Sequence, residues 1–109
     1  MTRTQNYRWM QRIYKLLRDP ETRVALRHFK PELAGLAYAE TQTMFIDPRK
    51  DLVCTIVHEC LHLLLPDTPL DADNGNCSKK VQRLERDITN SMSDRQWSTL
   101  TCRIGNKLW

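Results

Sequence analysis

The fourteen residues LVCTIVHECLHLLL, Leu52 to Leu65, constrain this chain more than any other stretch. Eight of them are Leu, Ile or Val, which demands burial against the rest of the molecule, and Pro66 follows at once. Upstream, Asp47-Pro48 offers a cap residue and a proline suited to a first helical turn. The spacing therefore predicts a helix from about Pro48 to Leu65. Inside it stand His58, Glu59 and His62, two of the chain's three histidines with a glutamate beside the first. Burying three such groups without partners costs on the order of several kcal/mol, so the helix needs something to satisfy them.

A metal ion does so. Helix positions 58 and 62 differ by about 40° in azimuth and 6 Å in rise, so their imidazoles converge on one ion. Glu59 lies roughly 100° round, within reach of a water on that ion. Two neutral nitrogens, an open position and a nearby carboxylate are what a hydrolytic zinc site requires, and Zn2+ is the expected cofactor. The competing reading is a core helix that carries these residues by chance. Cys54 does not complete a structural zinc site, because Cys54 and His62 are about 12 Å apart along the axis. Cys60 faces away from His62, and both cysteines read as small core residues.

Such a site must rest on a single core, since 109 residues suffice for one domain of radius ~13 Å and not for two. The N-terminal layer, residues 1–30, reads as basic and helical. A first helix from about Asn6 to Arg18 carries Tyr7, Met10, Tyr14 and Leu17 at helical spacing, widened by Trp9, Ile13 and Leu16, and Asp19-Pro20-Glu21 reads as the start of a second, ending near Phe29. Residues 33–47, LAGLAYAETQTMFID, read as strand, a hairpin turning near Glu40 to Gln42. After the central helix, PDTPLDADNGNCS is a loop. A helix from about Ser78 to Asn90 follows, and the capping box of Ser93 with Gln96 opens a last one over 93–108. The fold class expected is α+β, mainly helical, with a small sheet or hairpin before the central helix.

Charge is uneven. The first thirty residues hold eight Lys and Arg against two acids, and the remainder nine against eleven. Arg8, Arg12 and Lys15 form a short basic face with no recognisable nucleic-acid motif beside it, so nucleic acid is not the expected partner. No apolar run approaches the ~18 residues of a membrane span and the N-terminus carries charge throughout. Cysteines 54, 60, 77 and 102 show no C-x-x-C spacing. A soluble, cytoplasmic protein with reduced thiols is expected, its oligomeric state left open.

Two histidines are not enough for a catalytic zinc, which usually takes three protein ligands. The downstream candidates are Cys77, Glu85, Asp87, Asp71 and Asp73. Along the helix carrying Glu85 and Asp87, Val81, Leu84, Ile88 and Met92 define the core stripe. Glu85 points with that stripe, and Asp87 falls roughly 105° from its centre.

His58-Glu59-Cys60-Leu61-His62 followed by Glu85 on a second helix resembles the gluzincin branch of zinc metallopeptidases, especially the minimal forms called minigluzincins, over about Thr43 to Trp97. The resemblance implies a zincin-like domain hydrolysing peptide bonds, with His58, His62 and Glu85 as zinc ligands and Glu59 as general base. It further implies that a peptide or protein substrate lies along the strand around Tyr38 to Ile46 by strand addition. Tyr38, with His28 in reserve, is the candidate oxyanion stabiliser. Thr89 departs from the family pattern, which often has there an aspartate that orients the first histidine. The alternative is a weak or inactive zinc-binding module acting as an interaction or regulatory factor.

Overall fold

A computed structural model describes residues 1–31, 33–65 and 79–108. Helix α1, Arg3–Arg18, begins at a capping box: the Thr2 hydroxyl accepts from the Gln5 backbone at 3.1 Å, and the Gln5 side chain accepts from the Thr2 backbone at 2.8 Å. Its buried face is Asn6, Met10, Ile13, Leu16 and Leu17. Its four apolar members are those of the sequence reading, whereas Tyr7 is 60% exposed, and Arg8, Arg12 and Lys15 point to solvent as expected.

The second helix expected from Asp19 to Phe29 is a strand instead. The residue before a proline is pushed out of the helical region, and Asp19 has ψ 122°. Its carboxylate accepts from the Glu21 backbone and its carbonyl from that of Thr22, closing a turn. Thr22 and Val24, two residues apart, are then buried, a strand's period, and β1 runs over Arg23–Leu26. A parallel ladder with the later strand β3, Thr43–Ile46, outweighs the local helix signals.

Strand β2, Gly35–Tyr38, pairs antiparallel with β3, joined to it by a 3-10 turn over Ala39–Thr41 and a left-handed Gln42 at φ 48°. This is the hairpin read from the sequence. The sheet order is β1-β3-β2, so β3 is the middle strand. Val24, Met44, Ile46 and Gly35 are buried, whereas Leu36, Tyr38 and Phe45 belong to the other face, where Tyr38 and Phe45 meet edge to face at 6.0 Å.

Helix α2, Leu52–Leu64, starts four residues later than Pro48. Its cap is Asp51, whose carboxylate accepts from the Cys54 backbone at 3.1 Å. Asp47 has another task. Fully buried, it accepts from the Phe29 backbone at 2.9 Å and from the Arg49 guanidinium at 2.8 Å, and these bonds, Arg49's first, hold its carboxyl well below the usual range. Lys50 Nζ donates to the carbonyls of Lys30, Pro31 and Leu33. Together they fasten the segment that delivers β2 to the site.

Helix α3, Lys79–Ser91, buries Val81 and Ile88. Helix α4, Asp94–Leu108, opens with the Ser93–Gln96 capping box expected and continues through Gly105. Asn6 donates to Ser91 Oγ at 2.9 Å and accepts from Gln96 Nε2 at 2.7 Å, tying α1, α3 and α4 at a buried polar point. The fold is α+β: α2 packs across β2 and β3, α4 against β1, and the other helices complete one core. No described helix is long and apolar enough to cross a membrane.

Candidate metal centre

Helix α2 buries Ile56, Val57, Cys60 and Leu61 in the core, and this fixes its rotation. The i, i+4 spacing then sets His58 and His62 edge to face, with ring centroids 4.8 Å apart and Nε2 atoms 3.1 Å apart. Two ligands at about 2 Å from one tetrahedral ion have their nitrogens roughly that far apart. Burial, and for His58 also the neighbouring His62, lowers both imidazole pKa values, His58 to about 4. Both rings are thereby kept neutral, the form that ligates.

Glu59 is 4% exposed. Its Oε1 lies 3.9 Å from His58 Nε2, and its Oε2 has no hydrogen-bond partner among the described residues. Burial, and secondarily the charge of Glu85, pushes the carboxyl up to about 8. The ligand atoms of His58, Glu59 and His62 all fall within 4.8 Å of one another. An orphaned carboxyl oxygen beside two converging neutral nitrogens fits a cation, so these residues could hold a metal ion.

Glu85 comes from α3 as the helix phase requires, half-buried, while Asp87 is exposed. Its Oε1 is 3.8 Å from His58 Nδ1, at the other ring nitrogen from the one facing His62. Burial, then Asp51, raises its pKa, with Arg86 opposing. Thr89 does not replace an orienting aspartate: its hydroxyl donates back to the carbonyls of Glu85 at 2.8 Å and Arg86 at 3.2 Å. The other candidate ligands, Cys77, Asp71 and Asp73, lie outside the described residues.

Two sequence expectations need correction. Tyr38 is not at the site; strand alternation sends it to the sheet face opposite α2, 48% exposed and against Phe45. His28, exposed just after β1, leaves from the far side of the sheet from β2. Nor is the whole stretch Tyr38 to Ile46 an edge, because β3 is hydrogen-bonded on both sides and, among the described strands, β2 is the edge packed on α2. Sequence reasoning passed over Gly35, which lies against Thr55 and Glu59, and Asp51, which caps α2 and biases Glu85. The signal for the first was a lone glycine in a strand, a mark of close backbone approach. In comparisons with known proteins, no family model, no curated protein and no solved structure matches this chain.

Proposed function

We propose that this protein is a zinc-dependent peptidase of the gluzincin type, with a zincin-like site built on α2 and α3. The observation that carries the reading is the unpartnered, buried Oε2 of Glu59 beside the paired Nε2 atoms of His58 and His62. A site that only stabilises the fold has no use for a free carboxyl there. When bound, zinc supplies Lewis acidity that acidifies a water and polarises a carbonyl.

The chain's own residues do the rest. His58 and His62 would present neutral nitrogens to the metal, and Glu85 would be the third ligand. Glu59 accepts a proton from water on its carboxylate and returns it to the departing amine. An extended peptide adds to the open side of β2, aligned by main-chain hydrogen bonds. A reducing, cytoplasmic setting is part of the same proposal.

One observation favours a second reading, a zinc module without hydrolysis. The atoms gathered within 4.8 Å include Glu59 and not Glu85, as if Glu59 itself were a ligand. The two readings separate on Glu59→Gln. Under the peptidase reading the variant binds one zinc per chain, as does the unsubstituted protein, and loses peptide hydrolysis by on the order of 10²-fold or more. Under the second, zinc leaves with the carboxylate. A protein that takes up no zinc, or loses none in His58→Ala and His62→Ala, would sink both.

A further inference from the structure

Strand β2 touches helix α2 at one point without a side chain of its own. Gly35 is buried, and a Cβ there would lie 2.8 Å from the Phe45 carbonyl oxygen, 3.0 Å from Thr55 Cγ2 and 3.1 Å from Glu59 Cγ. Each distance is well inside an ordinary carbon contact of ~3.5 Å or more. The Phe45 oxygen belongs to the middle strand, whose ladder to β2 runs from Gly35↔Ile46 to Tyr38↔Thr43. It cannot give way without opening that ladder. Thr55 is held in turn, its hydroxyl donating to the Asp51 carbonyl at 2.6 Å. The remaining freedom is in Glu59.

We propose that Gly35 is a positioning residue: its missing side chain lets the edge strand close on α2 and hold the Glu59 side chain at Cγ, fixing its carboxyl relative to the His58–His62 pair. The space a Cβ would need is bounded by Glu59 Cγ, so a side chain at position 35 would displace the Glu59 side chain. The same contact sets the spacing between the strand that would align an extended substrate and the carboxyl that would take its proton. The catalytic consequence rests on the peptidase reading, whereas the contact stands apart from it.

Gly35→Ala is expected to keep one zinc per chain, because both histidines are carried by α2. Per zinc-loaded folded molecule, kcat should fall by about 10²-fold with KM within a few-fold, the loss that a misplacement of about 1 Å brings. Adding Thr55→Ser, which removes Cγ2 and keeps the hydroxyl, relieves one of the three contacts and leaves the one with the Phe45 oxygen, so it should restore only part of the lost rate. In the metal-free protein the carbon-13 signal of the Glu59 carboxyl, assigned by its loss in Glu59→Gln, should move in Gly35→Ala and return toward its place in the double variant. Unchanged kcat with an unmoved signal overturns the proposal. A chain that hydrolyses no peptide but shows the moved signal refutes the peptidase reading and leaves the contact standing. If Gly35→Ala does not fold, the unsubstituted protein decides: proton NOEs from Gly35 Hα to the Thr55 methyl and the Glu59 γ-methylene support the contact, and their absence rejects it.

Discussion

In the metal-free protein, Glu59→Gln should make the fold more stable at alkaline pH and nearly leave it alone in acid. Glu59 is 4% exposed, and burial pushes its carboxyl from 4.5 to about 8. Between those values the folded chain keeps a proton that the unfolded chain releases, so the contribution of this group is full in acid and is lost as pH rises through about 8. At ~1.36 kcal/mol per pH unit, the loss between pH 5 and pH 8 is roughly 3 kcal/mol. His58, lowered from 6.5 to about 4, runs the other way and adds stability as pH rises toward 6.5. Because both proteins carry His58, it cancels in the comparison. Glutamine stays neutral with nearly the same shape, so the difference isolates the carboxyl. Urea unfolding of the two chelator-treated proteins at pH 5 and pH 8 measures it. An equal stability difference at both pH values would refute the claim that this carboxyl resists charging.

Glu85→Ala should release zinc at chelator concentrations that the unsubstituted chain survives, whereas Asp87→Ala, on the exposed side of α3, should change little; the reverse order would mean that α3 presents the wrong face. Asp51→Ala should cost about 1 kcal/mol in urea unfolding through loss of the α2 cap. An effect near zero would show that the helix start is fixed by packing alone.

Much of the local structure was legible because its causes are local. The capping box at Ser93 and Gln96 needs only its own residues, as does the i, i+4 pairing of His58 with His62. The stripe of Val81, Leu84 and Ile88 set the phase of α3 and correctly separated Glu85 from Asp87. What failed turned on partners distant in sequence. Asp19-Pro20-Glu21 resembles a helix start, but β1 forms because β3 offers a parallel ladder some twenty residues on, from Arg23↔Thr43 to Leu26↔Ile46. Asp47-Pro48 resembles one as well, yet the Asp47 carboxylate is taken by the Phe29 backbone and Arg49, leaving the cap to Asp51.

The sequence by itself therefore determined the existence of α1 to α4, the hairpin and the three polar residues that α2 carries into an apolar layer, since period and capping act within a few residues. Only the tertiary structure decided which strand forms the edge beside α2, that Tyr38 faces away from it, and that Gly35 lets β2 touch Glu59. Strand order and close backbone approach arise from packing between segments far apart along the chain, and no periodicity within one segment records them.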